Sequence, residues 1–239
     1  MRIIYYCFLY LTVLFSSSYN CESTTENTAK LLETYRNYIN ASHDLDKSDR
    51  MMMKVWTSDF LLQMVNITSH YRLDMSRHKE RNFMSIKANP KWKECMNLHQ
   101  NEVNKAEMAY YDEESKCVKT ANEEGDQKKQ SVVQIEKEIR KWRKSYRYLS
   151  NQCNKNHPSE DEAAGKCLVE YMQKDKYHIT FQRLILLKLE SMSSLYNQIL
   201  ASLGTLEVCL KTVLSRYLSN VRLVMGNLNH CYNIRTLSE

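Results

Sequence analysis

Only four glycines and two prolines occur in the 239 residues of this chain. Turns in β-rich folds consume both residue types, so their scarcity favours long helices joined by few connections. The length is sufficient for one large domain, or for a domain with an appended subdomain. The sequence therefore predicts an all-α protein.

The N-terminal part of the chain, residues 19–90, is predicted to form a helical section that ends at Asn89-Pro90. Two amphipathic helices are expected within it, because apolar residues recur there at helical spacing. Their apolar positions are Leu32, Tyr35 and Ile39 in the shorter helix, and Met53, Trp56, Phe60 and Ile67 in the longer one.

The remaining part, residues 91–239, contains four helix-sized segments. Helices are expected near 91–123, 127–153, 166–202 and 205–232, because Gly125, Pro158 with Gly165, and Gly204 separate runs of apolar residues spaced three and four apart. Four helices with one apolar face each describe an antiparallel four-helix bundle. The N-terminal helical section would pack on or beside it.

The spacing of the cysteines constrains how these helices pair. Cys95 and Cys117 are 22 residues apart, and so are Cys209 and Cys231. In a helix, 22 residues span about 33 Å and end roughly 40° from the starting azimuth, which excludes a bond within either pair. Antiparallel packing that opposes Cys95 to Cys231 also opposes Cys117 to Cys209, and the two remaining cysteines would close the hairpin between the second and third helices. Of the fifteen pairings that six cysteines permit, this geometry favours Cys95–Cys231, Cys117–Cys209 and Cys153–Cys167.

An export signal is predicted at the start of the chain. Residues 1–18 run from a basic residue through an apolar stretch to three serines, the order of a signal peptide. No membrane span is expected after cleavage, since the later apolar stretch 181–189 is interrupted by Gln182, Arg183 and Lys188. The protein is therefore expected to be secreted and extracellular.

Two further features bear on an exported product. Cleavage after Ser18 leaves Cys21 as an odd seventh thiol, which either pairs between chains, pairs with a small thiol or is removed by later cleavage. The sequons at Asn40 and Asn66 fit N-glycosylation on an extracellular route.

Motifs for catalysis, metals or nucleic acid are missing from the sequence. Four glycines are too few for phosphate loops or nucleophile elbows, and there is no Cys-x-x-Cys or His-x-x-x-His pair for zinc. The formal charge of +6 is spread over interspersed residues of both signs, which argues against nucleic-acid binding. His99 and His178 lie near seam positions and form either satisfied bundle histidines, the favoured interpretation, or an internal site. We expect no enzymatic activity, no cofactor and no metal.

One cluster of basic residues stands out on the second predicted helix. It is either a patch for an anionic partner or a solvated face whose long stems flank Trp142 and Tyr146. Its members are Arg140, Lys141, Arg143, Lys144 and Arg147.

Several of these residues occur in a pattern that resembles the insect TsetseEP domain, over about residues 90–231. The pattern consists of Trp92 and Cys95, Tyr110-Tyr111, the run Cys117-Val118-Lys119-Thr120-Ala121, and later cysteines ending at Cys231. The resemblance implies an exported helical insect protein of gut, secretory or reproductive tissue, with no catalytic residues.

The function favoured by these features is that of a secreted interaction or structural protein, which binds an extracellular protein, a glycan or a microbial surface. The alternative is a carrier that encloses a small apolar ligand between helices. A cavity lined by Met192, Tyr196 and Ile199 would favour the carrier, whereas a filled seam would favour the interaction protein.

Overall fold

The computed structural model describes residues 24–84, 89–174 and 176–237. These residues form five α-helices, and no strand occurs in these ranges, which confirms the all-α class. The predicted signal peptide, residues 1–18, and Cys21 lie outside the described residues. The helices are α1 (Thr24–Lys79), which continues into a π-helical turn (Glu80–Met84), α2 (Pro90–Leu98), α3 (Gln100–Asn156), α4 (Asp161–Lys174) and α5 (Tyr177–Leu237).

Two of the predicted helix ends are wrong, because Gly125 lies inside α3 and Gly204 lies inside α5. A glycine in a helix interior costs only about 1 kcal/mol relative to alanine, which does not end a long helix that packs along its length. The predicted helices 91–123 and 127–153 therefore belong largely to α3, and 205–232 belongs to α5.

A break that the sequence did not predict divides the segment 166–202. Between α4 and α5, Lys176 adopts a left-handed backbone conformation with φ 49°. Gly165, expected in the preceding loop, is a buried residue of α4. The four observed segments thus differ from the four predicted ones, and the antiparallel four-helix bundle is not confirmed.

The N-terminal section also differs from prediction, since one helix, α1, replaces the two that were expected. The buried face of α1 continues without interruption through Ser42, Asp46 and Asp49. These polar residues interrupt the apolar pattern although their positions belong to the buried face, which explains why one helix reads as two. The helix after it begins where the sequence indicates: Asn89 caps α2 by accepting a hydrogen bond from the Lys91 N–H at 3.0 Å, and Pro90 occupies the first turn.

The described residues divide into two compact units. The first unit contains residues 24–42, 141–174 and 176–181, and the second contains 43–84, 89–140 and 182–237. Each of α1, α3 and α5 contributes residues to both units.

In the second unit, α1 and α3 are antiparallel, α3 and α5 are antiparallel, and α1 and α5 are parallel. This order is the up-down-up arrangement of a three-helix bundle. Pairs of contacting residues that progress along the helices establish it: Arg50–Glu136 and Lys79–Glu107 between α1 and α3, Glu102–Asn227 and Glu113–Arg216 between α3 and α5, and Asp46–Lys188 and Trp56–Tyr196 between α1 and α5.

The core of the second unit is an apolar seam to which all three helices contribute. Large side chains from each helix are almost fully enclosed, and their burial supplies most of the stabilisation of such a bundle. Representative members are Phe60 and Met75 of α1, Val103 and Val132 of α3, and Leu206, Leu210 and Leu228 of α5.

The first unit is held by aromatic and small-residue contacts. Tyr177 packs edge-on against Trp142 at 4.8 Å between ring centroids, and its hydroxyl donates to the Trp142 carbonyl oxygen. Gly165 of α4 allows close approach of α1, because a Cβ at this position would lie 3.1 Å from Leu32. A Cβ at residue 165 would therefore require the Leu32 side chain to shift by a few tenths of an ångström.

Replacing Gly204 by alanine is expected to raise the free energy of unfolding by about 0.5–1 kcal/mol, because alanine restricts the unfolded chain and favours helix. A Cβ at this exposed position meets no atom within 4 Å. Denaturant unfolding measures the gain. Gly125→Ala is the matched control, since its Cβ would lie 3.1 Å from the Phe60 ring. An equal gain in stability at both positions would contradict the difference in packing between Gly204, which has open space, and Gly125, which contacts Phe60.

Candidate interaction surface

The three disulfides within residues 24–84, 89–174 and 176–237 are the predicted pairs. Two of them join α3 or α2 to α5 in the second unit, and the third joins α3 to α4 in the first unit. Because α5 is antiparallel to α2 and α3, the equal 22-residue intervals place Cys231 beside Cys95 and Cys209 beside Cys117. The Cα–Cα distances are 5.9 Å for Cys95–Cys231, 5.9 Å for Cys117–Cys209 and 5.8 Å for Cys153–Cys167.

A buried ionic cluster lies between α1 and α5 in the second unit, and the sequence analysis missed it. The Lys188 ammonium group contacts Asp46 and lies 3.0 Å from Asp49 Oδ2, and the three side chains are at most 6% exposed. Burial raises the pKa of the Asp49 carboxyl, although the neighbouring Lys188 charge opposes this rise. The heptad spacing was the available signal, since both aspartates fall on the buried face of α1.

A second carboxylate near this cluster is also paired. Glu136 of α3 accepts hydrogen bonds from Arg140 and from Arg50 Nε, the latter at 2.8 Å. Burial acts against ionisation, but these two guanidinium groups outweigh it and lower the pKa of Glu136. Glu136 is therefore paired within an ionic network of the kind that positions helices, whereas the buried Asp49 Oδ2 has the Lys188 charge beside it but no hydrogen bond from the described residues.

The predicted basic cluster does not share one exposed face. Arg143 is 9% exposed and donates to Ser42 Oγ at 3.2 Å, while Arg140 binds Glu136. Lys141, Lys144 and Arg147 are exposed. The cluster is therefore divided between two side chains that contact other residues of the protein, Arg140 and Arg143, and three that lie at the surface.

Both sequon asparagines, Asn40 and Asn66, are exposed on α1. His99 is partly buried, and its Nδ1 lies 2.8 Å from Glu102 Oε1, in agreement with a structural role. For His178, the other predicted histidine, the structure describes the backbone within α5. No group of three residues able to hold a metal ion occurs within residues 24–84, 89–174 and 176–237.

An open groove of about 630 Å³ runs between α1 and α3 in the second unit. Its walls carry several apolar side chains that face solvent, so it offers apolar surface that the fold itself leaves uncovered. Leu61, Val65 and Tyr111 are the exposed ones, and Val118 is partly buried against the core.

An ion pair is fixed in the lining of this groove. Arg72 of α1 donates to Glu114 of α3, with 2.5 Å between Nη2 and Oε1 and 2.8 Å between Nε and Oε1. The Glu114 carboxylate is 2% exposed, whereas the Arg72 side chain is 57% exposed and reaches the groove. The groove therefore presents a cationic group, held in one orientation, beside apolar walls.

Two buried phenols pack behind the ion pair. Tyr110 and Tyr217 contact each other edge-on, at 5.7 Å between ring centroids. Burial raises the pKa of Tyr110 and raises that of Tyr217 to about 12, so both phenols keep their protons at neutral pH. Neither is an acid or base suited to catalysis at neutral pH.

One helix in the described ranges, Ile179–Leu237, is long and apolar enough to cross a membrane by length and composition. This finding differs from the expectation that no second stretch approaches that length. One third of the apolar window is buried, and the helix carries Cys209 and Cys231, both bonded to other helices.

Comparison with known proteins found no matching family model, no matching curated protein and no matching solved structure.

Proposed function

We propose that this chain is a secreted, non-enzymatic interaction protein that contacts an extracellular protein, a glycan or a microbial surface. The groove between α1 and α3 carries this proposal. Open apolar walls beside an oriented Arg72 suit the insertion of a partner's side chain, with an acidic or hydrogen-bonding group placed against the guanidinium. Recognition through such a surface needs no chemical step.

The disulfides support export. Bonds of this kind persist in oxidising compartments and are rare in the cytosol. Together with the signal-like residues 1–18, they favour an extracellular setting. The resemblance to the TsetseEP domain belongs to this proposal, under which the protein would act in insect gut, secretory or reproductive fluid.

The carrier is the second candidate, because the groove volume falls within the range of about 300–1,000 Å³ that is typical of small-ligand sites. The residues named for an internal cavity fit it less well. Met192 and Ile199 are buried members of the packed core, whereas Tyr196 is 40% exposed and lies 5.3 Å from Trp56 between ring centroids. These positions favour a filled seam.

A photo-crosslinking amino acid at Leu61 tests the proposal. The oxidised protein carrying it is incubated with fluid from its source tissue and irradiated, and the adducts are identified by mass spectrometry of both proteins and small molecules. We expect one dominant macromolecular adduct, because Leu61 lines the groove.

The matched control places the same crosslinker at Leu223, which is exposed on α5 outside the groove. An adduct formed equally at both positions would indicate nonspecific capture and would contradict the proposal. A lipid recovered at Leu61 would instead favour the carrier. The variant Arg72→Gln should weaken a macromolecular adduct at Leu61, because the cationic donor is lost.

A further inference from the structure

The outward face of α1 between residues 51 and 73 is apolar. At about 100° per residue, seven exposed residues lie within roughly 45° of one line along the helix, over about 33 Å, and no charged residue falls in this band. Phe60 and Met64, on the opposite side of the helix, pack in the core. We call the seven residues the outer stripe: Met51, Val55, Ser58, Leu62, Val65, Ser69 and Leu73.

A surface helix of a bundle normally has one apolar face, but this part of α1 has two. The five large apolar residues of the outer stripe are between 53% and 64% exposed. At roughly 100 Å² each they present on the order of 500 Å² of contiguous apolar surface, a size that marks interaction sites.

The outer stripe has nearly the same pattern in both directions. Counted from Leu62, its members lie at −11, −7, −4, 0, +3, +7 and +11. If a second copy is related by a two-fold axis through Leu62, its outer stripe therefore runs antiparallel to the first with its members nearly in register. Met51 meets Leu73, Val55 meets Ser69, Ser58 meets Val65 within one residue, and Leu62 meets itself.

We propose that a second copy of this chain covers the outer stripe, forming a two-fold dimer in which the two α1 helices pack antiparallel with Leu62 on the axis. An interface related by a two-fold axis must be complementary to itself, which the reversed pattern satisfies. The valines inserted opposite serines allow close approach of the two helices. Two copies contribute on the order of 1,000 Å² of apolar area before flanking residues are counted, which approaches the range of stable dimers.

This inference does not rest on the proposed function, since the dimer needs no external partner. It adds a distinct role for α1 beside the groove, with Val65 and Ser69 common to both surfaces. The test uses the secreted full chain with Cys21→Ser, so that no disulfide through that residue can produce a dimer.

Sedimentation velocity measures the association of this chain and of two charge variants. We expect a concentration-dependent dimer, and we expect Leu62→Glu to raise its dissociation constant at least about 100-fold, because two carboxylates meet at the axis. Leu223→Glu, a change at a leucine of α5 that is 70% exposed against 59% for Leu62, should leave the constant unchanged.

Cysteine pairs determine the direction of packing. Mixing the single variants Val55→Cys and Ser69→Cys should give a heterodimeric crosslink under oxidation, whereas each variant alone should crosslink little, because residue 55 opposes residue 69. Crosslinking of each variant with itself would indicate parallel helices and would overturn the proposal.

Three further results would overturn it. One is a chain that stays monomeric at about 100 µM protein, because the dissociation constant of the dimer would then lie well above that concentration. Another is a dimer that Leu62→Glu leaves intact. The last is association seen only with Asn66→Gln, since a glycan would then cover the outer stripe. If the chain is a monomer, flotation with phosphatidylcholine and phosphatidylserine vesicles would show that a membrane covers the outer stripe instead.

Discussion

Replacing Cys95 and Cys231 together by alanine is expected to lower the free energy of unfolding by about 4 kcal/mol. The bond joins residues 136 apart in the chain. Because the Cys117–Cys209 bond stays intact, the loop closed by Cys95–Cys231 contains only roughly 45 residues. The chain entropy of a loop of this length corresponds to about 4 kcal/mol. Guanidinium unfolding of the oxidised protein, followed by circular dichroism, measures the loss.

The pair Cys153→Ala and Cys167→Ala provides the comparison. Its loop spans 14 residues, so the expected loss is about 3 kcal/mol. Hydrogen exchange should become faster in α2 and the end of α5 when Cys95 and Cys231 are replaced. It should become faster in α3 and α4 when Cys153 and Cys167 are replaced. A loss below about 1 kcal/mol for Cys95 and Cys231 would contradict the role given to this bond.

Replacing Lys188 by methionine is expected to cost about 3–5 kcal/mol at pH 7. The substitution leaves Asp46 and Asp49 buried, adjacent to each other and without the ammonium group that both contact. A buried charge without its partner is strongly destabilising because neither water nor a counter-ion solvates it. Chemical denaturation at pH 7 measures the cost.

The cost should shrink as the pH falls. Burial already raises the pKa of Asp49, and removal of Lys188 takes away the charge that limits this rise. A carboxyl with a raised pKa binds its proton in the folded state before it does so in the unfolded state, so protonation stabilises the folded variant on acidification. The difference between wild type and Lys188→Met should therefore be smaller at pH 5 than at pH 7.

A variant that neutralises the whole cluster separates charge from packing. Asp46→Asn and Asp49→Asn, combined with Lys188→Met, leave no unpaired ion, and we expect this variant to be more stable at pH 7 than Lys188→Met alone. Equal stability of the two variants, or a cost that does not change with pH, would assign the loss to packing and contradict the electrostatic explanation.

The cysteine pairing was predictable although the helix boundaries were not. It depends only on the constant rise and rotation of a helix, which hold in any helix that contains both members of an interval. The interval between Cys209 and Cys231 lies within one helix, α5. The interval between Cys95 and Cys117 crosses the one-residue junction of α2 and α3 at His99. Helical hydrogen bonds from the His99 N–H to the Cys95 carbonyl and from the Val103 N–H to the His99 carbonyl continue across this junction, so the spacing is kept and both bonds form.

The helix ends failed for a different reason. Gly125 was interpreted as a breaker, but it is a buried contact point whose missing side chain accommodates Phe60. A glycine that ends a helix and a glycine that admits a neighbouring ring look alike in a single sequence. The neighbour comes from residues about 65 positions away, so local spacing contains no sign of it.

The sequence by itself determined the helical class, the spacing that pairs the cysteines and the start of α2 at Pro90, because each depends on local backbone geometry or on residues close in the chain. Only the tertiary structure decided that Asp46, Asp49 and Lys188 belong inside and that an apolar face of α1 remains outside. Polarity predicts the reverse in both places. Burial of a charge depends on the partner that reaches it, and exposure of an apolar face depends on which helices are available to cover it.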